Sequence, residues 1–176
     1  LSSLFVMMLG ISSANATTMI PLTFDQLVDA ADEIVKGKVT EVWTERDQNT
    51  GMIWTHAQVE VTKTLKGDST QDVVILEQPG GKWGTEDMIV NGIARFSVGE
   101  SGYFFVEHLE SGRSVPVGMF QGKFNIIFNP HLKEEIATRF PLHPRRKFDH
   151  RFIPLPPENK RVSLESFELK IKQKKS

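Results

Sequence analysis

The stretch GESGYFFVEHLESGRSVPVGMFQGKFNIIF, residues 99–128, decides the fold. It contains three apolar runs, at residues 103–106, 115–120 and 124–128, and a glycine lies in each gap between them. Aromatic and β-branched residues interrupted by glycine turns are typical of consecutive antiparallel strands. We therefore predict a β-meander in this stretch, to which the strands on either side are added.

The chain before this stretch predicts further short strands, at residues 33–43, 52–65, 72–78 and 88–96. Residues 52–65 alternate apolar and polar side chains, as expected of an antiparallel strand with one buried and one solvent-facing side. Gly37 lies inside the first strand, where a glycine indicates a bend or a bulge. Because no helix separates these strands, the pattern predicts a mainly β fold, an antiparallel OB-like barrel.

One short helix is predicted on each side of the strands. Residues 22–31 begin with Thr23 as the N-cap and carry Gln26 three residues later, which is the spacing of a capping box. Residues 163–174 begin with Ser163 as the cap of a C-terminal helix. The apolar face of that second helix consists of Leu164, Phe167 and Ile171.

The first residues have the form of a secretory signal. Residues 4–11 are apolar, and Ala14-Asn15-Ala16 has the small-x-small pattern of a signal-peptidase site. The apolar run is much shorter than the ~20 residues that a membrane-spanning helix needs. We predict a signal peptide over residues 1–16 whose own start is missing, followed by an exported mature chain without a transmembrane segment. The alternative is a buried N-terminal strand or helix.

The 176-residue chain contains no cysteine. Disulfides, a thiol nucleophile, a cysteine-ligated zinc site and a lipid anchor on cysteine are therefore excluded. A cysteine-free exported domain fits a bacterial periplasm or the cell exterior.

Charge is distributed unevenly: residues 1–138 have a net charge of −8, and residues 139–176 have a net charge of +7. Residues 129–162 combine many prolines with arginines, and proline disrupts both helices and sheet ladders. We predict a Pro-rich basic strap over 129–162, between a barrel domain at 17–128 and a C-terminal helix at 163–176. The basic end either lies on the acidic body, stays solvated, or contacts an acidic component of the cell envelope.

Several short motifs occur in an order that is similar to a known group. ADEIVKGKV at residues 31–39 is followed by VEV at 59–61 with LKG at 65–67, PGG at 79–81, FSVGE at 96–100, and GMFQGKF at 118–124. This order resembles a group of uncharacterised exported bacterial domains, loosely similar to the netrin-like, metalloproteinase-inhibitor-like OB barrels. The resemblance spans about residues 22–128 and the final helix, and it implies an OB-like barrel. It does not imply protease inhibition, because those inhibitors chelate zinc through an N-terminal cysteine.

Catalytic patterns are weak in this sequence. The five histidines do not form an HExxH motif, and no GxSxG elbow is present, so we assign no catalytic residue and no cofactor. Within the strap, His131, His143 and His150 could converge with Asp149 as a fourth ligand. These residues define the alternative function, a metal-assisted hydrolase.

Two turns are the candidate binding surfaces. GGKWG at residues 80–84 lacks the spacing of a phosphate-binding loop, and its exposed aromatic is typical of a recognition loop, which singles out Lys82 and Trp83. The second candidate is the turn at Phe120 and Gln121. Trp83 could instead cap the open end of the barrel.

The sequence therefore favours an exported, non-enzymatic binding or accessory module whose partner is an envelope or extracellular protein or a glycan. Nucleic acid is excluded as a partner, because the outward face of the strand at 52–65 has little positive charge and the body is acidic. A further alternative is a structural accessory domain that the basic strap holds on anionic envelope polymers.

Overall fold

The computed structural model describes residues 20–67, 70–139 and 162–175. The signal peptide predicted at 1–16 and residues 140–161 of the predicted strap, with His143, Asp149 and His150, lie outside the described residues. The elements in chain order are α1 (Phe24–Ala30), β1 (Glu33–Arg46), β2 (Ile53–Lys66), β3 (Val73–Pro79), β4 (Gly81–Trp83), β5 (Glu86–Met88), β6 (Ser101–His108), β7 (Ser114–Pro116), a 3₁₀ helix (Met119–Gly122), β8 (Lys123–Asn129), β9 (Glu134–Thr138), β10 (Val162–Ser163) and α2 (Leu164–Lys175).

The main sheet is antiparallel, with strand order β10-β9-β8-β6-β1-β2-β3 and with β7 paired to β6. β4 and β5 form a separate hairpin. The predicted mainly β, antiparallel fold with two helices is confirmed. The predicted closed barrel is not found among the described residues, because β3 approaches β7 without pairing with it.

The predicted meander is wrong in its pairing. β7 and β8 lie end to end along the same edge of β6, so that β8 pairs with β6 and not with β7. The strand is interrupted between them by Gly118 and Met119, which both have a positive φ, of 58° and 63°. Left-handed backbone ends a strand, and the chain therefore forms a 3₁₀ turn before it returns to β6.

Two other predictions need correction. The broken strand expected at 88–96 is absent, since β5 ends at Met88 and residues 89–96 contain no strand. The strap expected from residue 129 on contains β9 at Glu134–Thr138, which extends the sheet beyond residue 128. Pro130 lies before this strand, and β9 itself contains no proline, so its backbone can pair fully with β8.

β6 is buried on both of its faces. Tyr103 and Phe105 belong to a core beneath the two helices, whereas Phe104 and Val106 belong to a second core formed with β1, β2 and β3. Successive strand residues point to opposite faces, so a strand between two cores must be apolar throughout. This burial explains the continuous run of apolar residues at 103–106.

The helices begin as their sequences predict. Thr23 and Gln26 form the full capping box of α1, and the Ser163 hydroxyl accepts a hydrogen bond from the Ser166 amide at 3.3 Å. Phe167 and Ile171 are buried in the first core. At the other end of α1, the Lys66 ammonium donates to the carbonyl oxygens of Val28 and Ala31, at 2.6 and 2.5 Å. This cation satisfies carbonyls that a helix end leaves unpaired.

Two glycines lie directly opposite each other on neighbouring strands, Gly37 of β1 and Gly102 of β6. The register of β1 with β2 shifts next to Gly37, as the bulge prediction requires. A Cβ on Gly37 would clash with the Glu60 carbonyl oxygen, and a Cβ on Gly102 would lie 2.6 Å from the Phe124 carbonyl oxygen. Both contacts are with backbone, so the strands could not approach so closely with larger residues.

We expect Gly37→Ala to lower the free energy of unfolding by about 2–4 kcal/mol, because the new methyl group must displace the backbone of β2. The control is Gly112→Ala, where φ is +83° and, apart from the two chain neighbours, no atom of the described residues lies within 4 Å of the added Cβ. That change should cost only the strain of left-handed backbone, about 1 kcal/mol. Urea unfolding of both variants measures the difference, and equal losses would show that close approach at Gly37 is unimportant.

The Glu168 carboxylate attaches α2 to the sheet. Glu168 accepts a hydrogen bond from the Tyr103 hydroxyl at 2.9 Å and pairs with the Lys63 ammonium. Burial acts to raise the pKa of Glu168, but the hydrogen bonds from Lys63 and Tyr103 outweigh burial and hold this pKa below its usual value of 4.5. Burial and the hydrogen bond to Glu168 raise the pKa of Tyr103.

A carboxyl whose pKa is lower in the folded state stabilises the fold above its unfolded pKa and loses this effect as the pH falls. We therefore expect the free energy of unfolding to decrease as the pH falls below about 4.5, and Glu168→Gln to make this decrease shallower. Glu165→Gln, one turn earlier on the exposed side of α2, is the control and should leave the pH dependence unchanged. Urea titrations between pH 3 and 7 test the difference; identical profiles for the two variants would contradict it.

Candidate functional site

The far half of the β1–β2 hairpin, which we call its projecting end, extends past the end of β6, although β3 pairs with β2 along it. Each strand has 14 residues, but β1 pairs with β6 only from Glu33 to Lys38. The chain has three tryptophans, and all of them lie at this end: Trp43 on β1, Trp54 on β2, and Trp83 on the β4–β5 hairpin that packs against it. This concentration of aromatic side chains marks the region as the candidate site.

One face of the projecting hairpin carries aromatic and acidic side chains in cross-strand rows. Trp43 lies beside His56, which lies beside Glu77 of β3, and Glu45 lies beside Trp54 in the next row. Neighbours in such rows are close enough to interact directly. We call this surface, formed by Trp43, Glu45, Trp54, His56 and Glu77, the aromatic–acidic face.

His56 is the buried centre of this face, with only 8% of its surface exposed. Its ring stacks on Trp43 with a centroid distance of 5.1 Å and an interplanar angle of 9°. Its Nδ1 atom is 3.4 Å from the Glu77 carboxylate and its Nε2 atom is 3.7 Å from the Glu45 carboxylate. Strand alternation predicts His56 on a solvent-facing side; the structure buries it because Trp43 covers the ring.

Arg113 completes the face from the turn between β6 and β7. Its guanidinium lies 4.0 Å from the centre of the Trp54 ring and 2.6 Å from the Glu77 carboxylate. Stacking on an aromatic ring and pairing with a carboxylate are both favoured by the planar guanidinium. Arg113 therefore joins β3 to the β6–β7 turn, where β3 and β7 lie near each other without pairing.

The hairpin tip is held by Asp47. Its carboxylate accepts hydrogen bonds from the backbone amides of Thr50 and Asn49, at 3.0 and 2.9 Å, and lies 3.5 Å from Arg113. The hydrogen bond from the Thr50 amide has the largest effect in lowering the pKa of Asp47, and the bond from the Asn49 amide has the next largest. The carboxylate is therefore ionised at neutral pH. The side chains of the aromatic–acidic face are thus held in place before any ligand binds.

The predicted residues Lys82 and Trp83 lie on the opposite side of the same hairpin. The Thr44 hydroxyl donates to the Lys82 carbonyl and the Thr55 hydroxyl donates to the Gly80 carbonyl, both at 2.7 Å. These bonds fix β4 across the hairpin, while the Trp83 side chain remains 44% exposed. Lys82 is also exposed, so both residues are open to a partner.

The other predicted pair, Phe120 and Gln121, lies in the 3₁₀ helix beside β6. Gln121 is 1% exposed; its amide oxygen accepts from the Leu22 amide at 2.7 Å, and its nitrogen donates to the Ile20 carbonyl at 3.1 Å. Gln121 therefore binds the chain's own segment before α1. Phe120 is half-buried.

The sequence prediction assigned none of the residues of this surface to the site, which are Trp43, Glu45, Trp54, His56, Glu77 and Arg113. Trp43 and Glu45 are separated by one residue near the end of a strand, which was a local signal for a shared face. The pairing of Glu77 with Arg113 joins residues 36 positions apart, and no local pattern predicts it.

Of the four candidate metal ligands in the strap, the structure describes His131 alone. Within residues 20–67, 70–139 and 162–175, no group of three or more histidines, cysteines or carboxylates is arranged to hold a metal ion. His131, the one strap histidine that the structure describes, is exposed in the turn before β9.

Among the described residues, no helix is both long and apolar enough to cross a membrane.

Comparison of the chain with protein-family models and with curated proteins finds no match. The similarity to netrin-like domains therefore stays a prediction from the motif order, and the site must be interpreted from its own chemistry.

We expect Arg113→Met to lower the free energy of unfolding by about 1–3 kcal/mol, because it leaves the partly buried Glu77 carboxylate without its cation. It should also change the tryptophan fluorescence, since Arg113 covers Trp54. Arg46→Met is the matched control: its ion pair with Glu86 is exposed and should contribute less than about 1 kcal/mol. Equal stability losses, with unchanged fluorescence in both variants, would contradict the bridging role of Arg113.

Proposed function

We propose that this chain is an exported, non-enzymatic binding module that contacts an envelope or extracellular protein, or a glycan, through the projecting end of the β1–β2 hairpin. The observation that carries the proposal is the position of the three tryptophans, all at one end of the fold and on both sides of one hairpin. Tryptophan and arginine are the residues that contribute most often to binding energy at interfaces.

The fixed geometry of this end supports the same proposal. Two threonine hydroxyls hold the β4–β5 hairpin, and Arg113 holds the opposite face through Glu77 and Trp54. A surface whose side chains are already ordered loses less conformational entropy on association. Export is supported by the signal-like sequence of residues 1–16.

Trp83→Ala tests the proposal directly. We expect it to weaken binding to the captured partner roughly 30-fold, the effect of an interface residue that contributes about 2 kcal/mol. The partner is first captured with the intact protein, from an envelope extract by crosslinking or from a glycan array, and then identified and titrated in purified form.

The matched control is Phe128→Ala on β8, which removes an exposed aromatic side chain from another part of the sheet and should leave affinity unchanged. If Phe128→Ala abolishes binding and Trp83→Ala does not, the binding surface lies elsewhere and the proposal is wrong. A partner that binds both variants like the intact protein would also contradict it.

A further inference from the structure

The aromatic–acidic face continues along the three strands toward the base of the hairpin. The next row consists of Glu41, Gln58 and Ile75, and the row after it consists of Lys38, Glu60 and Val73. Glu41 and Glu60 are exposed, and neither forms an ion pair with another described residue. Two exposed carboxylates therefore follow the row of Trp43 along the strands.

The charge of the extended surface is acidic. Its carboxylates are Glu41, Glu45, Asp47, Glu60 and Glu77, and its cations are Lys38 and Arg113. Five carboxylates against two cations give a net charge of −3 with His56 neutral. Such a surface repels anionic polymers and attracts cationic ones.

Exposed apolar side chains lie beside these carboxylates. Val73 and Ile75 of β3 are 38% and 43% exposed, on the same face as Glu60 and Glu41. Lysine and arginine combine a long aliphatic stem with a charged end, so they can cover apolar side chains while their charge reaches a carboxylate. A neutral apolar partner would cover Val73 and Ile75 but would add no positive charge beside Glu41.

Arg113 already shows how this face binds a cation. Its guanidinium pairs with a carboxylate of the face and stacks on a tryptophan of the face. Because Arg113 covers one side of Trp54 and His56 covers one side of Trp43, these rings are less available as open platforms for a sugar. The chemistry of the surface thus favours guanidinium or ammonium groups over a glycan.

The spacing of the rows matches an extended peptide. Neighbouring rows are two residues apart along β2 and β3, about 6.8 Å. Every second side chain of an extended peptide has the same spacing and points to one side. A peptide that lies along the strands would therefore place alternate side chains over successive rows.

From these observations we propose that the partner of the aromatic–acidic face is an extended protein segment with lysine or arginine at alternate positions. This inference rests on the proposed binding function and names the class of ligand that this side of the hairpin takes.

The test uses the full chain and a fluorescent peptide of about 12 residues that alternates arginine with threonine. Fluorescence anisotropy measures its affinity at low and at high salt. Glu41→Gln with Glu45→Gln should weaken binding roughly tenfold, and added salt should weaken binding to the unchanged protein. The matched control is Glu134→Gln with Glu135→Gln on β9, which removes the same charge from another exposed strand and should leave the affinity unchanged.

Equal weakening by the two double variants would show that only net charge matters and would overturn the inference. It would also be overturned if the peptide fails to bind at low salt, or if a peptide with glutamate in place of arginine binds equally well. Self-association that is lost in the Glu41→Gln, Glu45→Gln variant would identify a second copy of this chain as the occupant instead. Loss of the captured partner through Trp83→Ala, without any effect of the Glu41 and Glu45 changes, would leave the proposed function intact and remove only the inference about the ligand.

Discussion

The fold depends on the burial of β6 on both faces. Tyr103, Phe104, Phe105 and Val106 are almost completely buried, and each such side chain contributes about 1.5–3 kcal/mol when it leaves water. One face of the strand organises α1 and α2, and the other organises β1, β2 and β3. Its two edges are also occupied, by β1 on one side and by β7 and β8 on the other. β1 also contributes to both cores, through Ile34 on one face and Val35 on the other, but β6 supplies the large aromatic side chains.

The candidate site follows from the geometry that β6 imposes. The Gly37–Gly102 pair leaves room for the close approach of β1 to β2 and of β6 to β8, and β3 lies near β7. Strand pairing does not close the remaining gap between the described strands, and Arg113, in the turn directly after β6, reaches Glu77 across it. The side chain that completes the aromatic–acidic face is therefore positioned by the same strand that organises the core.

Local sequence signals were sufficient for the helices and for most strands. The capping box at Thr23 and Gln26 involves residues three positions apart, so its pattern is readable without the fold. The end-to-end placement of β7 and β8 could not be predicted from local sequence. It depends on Met119, a residue with a side chain in left-handed backbone, and nothing in the local sequence requires that conformation.

The candidate site was predictable to the extent that its residues are exposed and close in sequence. Lys82 and Trp83 follow two glycines in an evident turn, and the structure leaves both exposed. Burial of His56 depends on Trp43 in the neighbouring strand, and the role of Arg113 depends on Glu77, 36 positions away. Contacts between strands require the register of the sheet, and this register shifts at three places between β1 and β2, only one of which lies at a glycine.

The aromatic–acidic face has a structural role, but that role does not explain all of its residues. Joining β3 to the β6–β7 turn requires Arg113 and Glu77, with Trp54 as the stacking surface. It does not require exposed carboxylates at Glu41 and Glu60, or exposed Val73 and Ile75 beside them. An edge strand that exposes apolar residues is a liability for aggregation unless a partner or charge protects it. Binding of a cationic segment would cover the apolar residues and neutralise the carboxylates at once, so one partner accounts for both features.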